Sequence, residues 1–141
     1  MTQVCLDASV ALDLFLPSDA ADRLDEQWRR WLEEGIEFVA PPFFSVETTS
    51  VLRNKVHSHM ISAERGEITF DKLQRLRVRI IDPPGLQRAA WEIARAFDRP
   101  EAYDAQYLAL ARQLNCEFWT SDRQLFSAVS QHLPWVRFIW P

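Results

Sequence analysis

The sequence predicts an α/β fold with a mostly parallel sheet, on three observations. Short apolar runs of strand length recur along the chain, and amphipathic segments of helical period lie between them. Glycine numbers only 3, so the connections are short. At 141 residues the chain has the length of one domain with a substantial core, and positions 1–141 read as that single domain.

The elements follow in order. Val4–Leu6 is an apolar strand that runs into Asp7, with a helix starting near Ser9. Leu24, Trp28, Trp31 and Leu32 recur at helical spacing with charged residues between them, which marks an amphipathic helix. Glu37–Ala40 is a second strand, stopped by Pro41-Pro42. Ser45 is the predicted cap of a helix that carries Glu47 in its first turn and runs to about His59. Phe70–Val78 reads as helix and Arg79–Asp82 as strand, ended by Pro83-Pro84-Gly85. Leu86, Ala89, Ala90, Ile93, Ala94 and Phe97 follow the helical stripe pattern up to the break at Pro100. Tyr103, Tyr107, Leu110 and Leu114 form another stripe. Strand Glu117–Thr120, helix Gln124–Ser130 and strand Val136–Ile139 complete the chain.

Composition removes several classes. Hydrophobic residues at 48% and charged residues at 26% fit a globular protein and not a disordered one. No run approaches the ~20 apolar residues of a membrane span, and the start lacks a signal-peptide pattern. Cys5 and Cys116 fall inside strands as small hydrophobes and suggest no disulfide framework, so a cytoplasmic location is expected. A net charge of −4 argues against a basic nucleic-acid module, unless several acids are gathered to hold a cation that neutralises them.

Four carboxylates are candidates for such a cluster. Asp7 and Asp122 follow strands, where ligands of open α/β sheets bind. Glu47, in SVETTSVL, and Asp104, in AYDAQYLALA, open helices. Each has an ordinary role open to it: Glu47 and Asp104 near helix starts gain ~0.3–1 kcal/mol from the dipole, and Asp7 and Asp122 stand where caps are made. As a set in one crevice they would repel, with raised pKa values, unless a cation compensates. Oxygen ligands without His or Cys at ligand spacing point to Mg²⁺ or Mn²⁺.

The ordered segments resemble the PIN-domain ribonucleases, above all the VapC-type toxins of bacterial toxin–antitoxin pairs. The residues that carry the resemblance are Asp-Ala-Ser-Val after the first strand, Pro-Pro followed by Val-Glu, Tyr-Asp-Ala before an alanine-rich helix, and Thr-Ser-Asp after the fourth strand. The resemblance implies a PIN-like three-layer α/β/α sandwich around a parallel sheet of order 3-2-1-4-5, and a homodimer. It places the catalytic and metal-binding acids at Asp7, Glu47, Asp104 and Asp122, with Ser9 and Thr120 as supporting hydroxyls. It implies Mg²⁺, with Mn²⁺ as substitute, and hydrolysis of RNA that releases the ribose 3′-oxygen. Asp7 and Asp104 are expected at the main ion, and Glu47 and Asp122 at a second ion or at the water. Its further implication is a small antitoxin whose tail blocks the site. Arg53 and Lys55 on the Glu47 helix and Arg123 beside Asp122 are the candidate RNA contacts; Arg75, Arg77, Arg79 and Arg88 form a further basic stretch.

Rival readings are a haloacid-dehalogenase-like phosphatase, a receiver-like signalling domain and a PIN-like binding module without activity. The first expects a second aspartate where Ser9 stands, and the second a late lysine, whereas none follows Lys72.

Overall fold

The computed structural model describes residues 2–19 and 21–140. Five strands and seven helices alternate among them: β1 (Gln3–Leu6), α1 (Ala8–Phe15), α2 (Ala21–Glu33), β2 (Glu37–Ala40), α3 (Phe43–His57), α4 (Ala63–Arg75), β3 (Val78–Ile80), α5 (Leu86–Ala96), α6 (Tyr103–Leu114), β4 (Glu117–Thr120), α7 (Arg123–Val129) and β5 (Val136–Phe138). The strands form one parallel sheet of order β3-β2-β1-β4-β5, as the resemblance implied. β1 and β4 are neighbours, with Leu6 paired to Trp119.

Side-chain alternation on the strands builds two apolar layers. Cys5, Val39, Phe118 and Val136 face the layer that holds Leu86, Ile93, Tyr107 and Leu110 from α5 and α6. Val4, Leu6 and Phe38 face the opposite way, onto Leu24 and Trp31 of α2, with Trp28 stacked on Phe38 at 4.5 Å between ring centroids. Burial on both faces explains why the central strands read as continuous apolar runs and not as alternating ones. A smaller cluster of Leu12, Leu16 and Leu52 seats α1 on α3. Among the described residues no helix is long and apolar enough to cross a membrane.

Several boundaries differ from expectation. α3 begins at Phe43 behind Pro42, so Ser45 lies inside the helix and Glu47 is not in its first turn. The fourth helix begins at Ala63, where the Ser62 hydroxyl accepts the Arg65 amide at 3.0 Å, and it ends at Arg75. That cap lies in a polar stretch that carries no clean apolar period. β3 is correspondingly earlier than Arg79–Asp82, and as one of the two edge strands it is exposed at Arg79 and Ile80.

Candidate active site

Asp7 leaves β1 with its amide still in the ladder, donating to the Trp119 carbonyl at 3.1 Å. Its own carbonyl accepts from Val10 at 3.1 Å, so the backbone caps α1. The side chain makes no cap bond and is left for the site. Asp7 is buried, 4% exposed. Two hydroxyls converge on its Oδ2: Ser9 donates at 2.9 Å and Thr120 at 2.6 Å. Both also accept from the segment after β4, Ser9 from the Ser121 amide at 3.2 Å and Thr120 from the Asp122 amide at 3.0 Å. The carboxylate is thereby fixed to two neighbouring strand ends, while Oδ1 accepts no hydrogen bond among the described residues.

The other three acids lie within electrostatic reach of one another. Burial pushes the Asp7 carboxyl up to about 7; the Thr120 and Ser9 hydroxyls oppose the shift, and the charges of Glu47 and Asp104 add to it. Glu47 is raised by burial first, with a hydrogen bond from Tyr107 opposing and the charges of Asp104 and Asp122 adding. Asp104 is raised by burial, against the pull of Arg99 and with the charge of Asp122 adding. Each of these three also has a partner of its own. Tyr107 Oη donates to Glu47 Oε1 at 2.6 Å, Arg99 donates to Asp104 Oδ2 at 3.1 Å, and Asp122 Oδ1 accepts the Leu125 amide at 3.2 Å. Among the described residues no three His, Cys, Asp or Glu side chains converge closely enough to hold a metal ion as they stand. The structure brings the four predicted acids together as a repelling set, not as an assembled ligand shell.

That set suits a hard divalent cation. Carboxylates that are buried or half-buried and raise one another's pKa favour a positive ion among them, and no donor among the described residues claims Asp7 Oδ1.

The candidate RNA contacts divide. Arg53 is exposed on α3. Lys55 is half-buried, and its charge bears on Asp13, whose carboxyl is raised by burial and lowered by Ser121 and Lys55. Asp13, read from sequence as peripheral, thus borders the β4 end of the site. Arg123 lies over the Phe138 ring at 5.1 Å. Arg75, Arg77 and Arg79 line a groove of about 720 Å³ at the amino-terminal ends of β2 and β3, away from the acids, and Arg88 pairs with Glu92 at 3.2 Å. Tyr107 and Arg99, both missed as site residues, touch Glu47 and Asp104. A tyrosine on an apolar stripe reads as core, and Arg99 before Pro100 reads as loop; nothing local signals either contact.

The PIN domain family model matches residues 4–131, and the chain belongs to that family. Within it, the chain is 31% identical over 122 residues to ribonuclease VapC9 of Mycobacterium tuberculosis and to a VapC ribonuclease of Mycobacterium bovis, covering 86% of this chain and 87% of each relative. Solved structures with the same fold include VapBC2 from Rickettsia felis bound to a DNA fragment from its promoter (TM-score 0.67, 11% identity, 97% of both chains). A toxin–antitoxin complex from Klebsiella pneumoniae matches with TM-score 0.65 and 17% identity over 97% of this chain and 98% of that one. Mycobacterium tuberculosis VapC20, a toxin that cleaves the sarcin–ricin loop, matches with TM-score 0.65 and 17% identity over 89% and 95%.

Proposed function

We propose that this protein is a metal-dependent endoribonuclease and the toxin of a VapBC-type pair. The observation that carries the proposal is Asp7, buried at the carboxyl end of β1, held by Ser9 and Thr120, and acted on by the charges of Glu47 and Asp104. The 31% identity to VapC ribonucleases supports the reaction class.

Asp7 and Asp104 are the residues that would hold Mg²⁺, or Mn²⁺ in its place. Bound there, the ion supplies charge neutralisation for the phosphate and a lowered pKa for water. The protein's own part is positioning. Ser9 and Thr120 fix Asp7. Tyr107 holds one oxygen of Glu47 and leaves the other to orient the attacking water and take its proton, a task suited to a carboxyl raised by burial. Asp122 is itself held as a helix cap, so its charge is fixed near Glu47 and Asp104. Hydrolysis joins the water oxygen to phosphorus and breaks the bond to the ribose 3′-oxygen, which takes a proton from solvent and leaves as a hydroxyl, while the phosphate stays on the 5′ side of the next nucleotide. Arg53, Lys55 and Arg123 stay as proposed phosphate contacts: Arg53 and Arg123 are exposed, the latter over the Phe138 ring, and Lys55 is half-buried.

The partners follow the same reading: an RNA substrate, a small antitoxin and a second copy of the chain. The toxin–antitoxin complexes among the structures with this fold support the antitoxin. An arginine on its blocking segment would find in Asp7, Glu47 and Asp104 a matching anionic site. The test is cleavage of total cellular RNA by purified protein, freed of copurified antitoxin, in Mg²⁺, in Mn²⁺ and in EDTA. Discrete products that require metal support the proposal. Equal cleavage in EDTA, or none in either metal, overturns it.

A further inference from the structure

Beside the acids lies a feature that the hydrolytic chemistry leaves unused. Tyr103 opens α6 immediately before Asp104, and it is 55% exposed. Its ring lies nearly parallel to that of Phe43 at the start of α3, with centroids 5.1 Å apart and 16° between planes. The two rings share one cleft of about 270 Å³ with Glu47, Arg99, Glu101 and Asp104. An exposed aromatic step is thus built into the wall of the site, with both of its residues close in sequence to a site acid.

Most solvent-exposed aromatics need no explanation. This pair differs in being stacked, in bordering the acid cluster, and in having a cationic side chain in the same cleft. Phe43 backs Tyr103 and fixes its plane, so a planar ligand meets a preset surface. Charge selects the ligand further: a free anion is opposed by Glu47, Glu101 and Asp104, whereas a neutral planar ring is not, and Arg99 offers hydrogen-bond donors at its edge.

We infer that Phe43 and Tyr103 form a stacking subsite for an unpaired nucleobase next to the scissile phosphate. The inference rests on the ribonuclease reading and deepens it, because it names the side chains that would take a base beside the reacting phosphate. Stacking of this kind tolerates any base, since each presents a π-face. A base inside an A-form duplex is covered by its neighbours, so paired RNA cannot use the step. The subsite thus selects loops and ends, with sequence preference left to other contacts.

The test uses a single-stranded oligonucleotide that contains a cleavage site mapped in total RNA, and its counterparts with one abasic nucleotide at each position around that site. Wild type, Tyr103→Phe, Tyr103→Leu and Tyr103→Ala are compared for KM and kcat. Tyr103→Phe is expected to match wild type. Tyr103→Ala is expected to raise KM about 10-fold, with Tyr103→Leu between them and kcat changed less than KM. One abasic position is expected to raise the wild-type KM by a similar factor and to add little in Tyr103→Ala, because the same contact is already gone. The abasic arm needs no variant and reads the subsite even if a substitution disturbs folding. Unchanged KM in Tyr103→Ala, or abasic and Tyr103→Ala losses that multiply at every position, overturns the subsite while wild-type cleavage still stands. Absence of wild-type cleavage in both metals overturns the ribonuclease reading and the subsite with it.

Discussion

Thr120 donates its hydroxyl to Asp7 Oδ2 at 2.6 Å across the β1–β4 junction, although 113 residues separate the two in sequence. The Thr120 hydroxyl oxygen in turn accepts the Asp122 amide at 3.0 Å. One buried hydroxyl therefore ties the acid after β1 to the start of α7. Thr120→Val removes both bonds, leaves the Asp122 amide without that partner and leaves the buried carboxylate with Ser9 as its one hydroxyl donor. It is expected to destabilise the protein by about 1–3 kcal/mol in urea unfolding. Thr120→Ser keeps the hydroxyl and is expected to recover most of that loss and most of the activity.

The burial of Asp7 makes stability depend on pH in a defined direction. Its folded pKa, about 7, lies above its ordinary value of 3.8. Between those values the folded protein binds more protons than the unfolded chain, so stability falls as pH rises through this window. In EDTA, thermal melts should show the Asp7 contribution fully present below pH ~4 and lost above ~7. Asp7→Asn removes the titrating group, and an amide oxygen in the place of Asp7 Oδ2 can still accept from Ser9 and Thr120. It is expected to flatten this slope and to be more stable than wild type at pH 8, by an amount on the order of 1–4 kcal/mol. A wild type that grows more stable from pH 5 to 8 under these conditions contradicts the assignment.

Tyr107 tests the positioning of Glu47. Burial, then the charges of Asp7 and Glu47, hold its phenol well above the usual range, so the hydroxyl stays a donor. Tyr107→Phe keeps the buried ring and deletes the bond to Glu47. Folding stability should change by about 1 kcal/mol or less. If Glu47 orients the water, kcat should fall about 10-fold with little change in KM.

Gly66 sits inside α4 with its Cα face against Val56 of α3. A Cβ there would overlap the Val56 side chain. Gly66→Ala should therefore lower the melting temperature despite alanine's better helix propensity, with a net cost of about 1–2 kcal/mol. Val56→Ala in the same chain should relieve part of it.

Legibility in the sequence followed the strength of local signals. β1, β2 and β4 are short apolar runs with sharp polar or proline ends, and the α5 and α6 stripes repeat clearly, so these elements and the strand-end acids Asp7 and Asp122 were visible. β3 is a three-residue edge strand in an arginine-rich stretch, and α4 starts in a polar segment broken by Gly66, so neither carried a clean period. Glu47 was legible as an acid near the start of α3, but its environment was not. Its tyrosine partner is 60 residues away, and the contact exists only once α3 and α6 pack. Arg99 on Asp104 and the Phe43–Tyr103 stack were hidden for the same reason.

The most direct test of the account pairs Asp7→Asn with wild type in one RNA-cleavage assay at saturating Mg²⁺, both proteins being checked for native circular dichroism. The wild type is expected to cleave at discrete sites, and the variant, folded and at least as stable at pH 8, to lose cleavage by more than ~100-fold. A folded Asp7→Asn protein that cuts the same sites at the wild-type rate would contradict it.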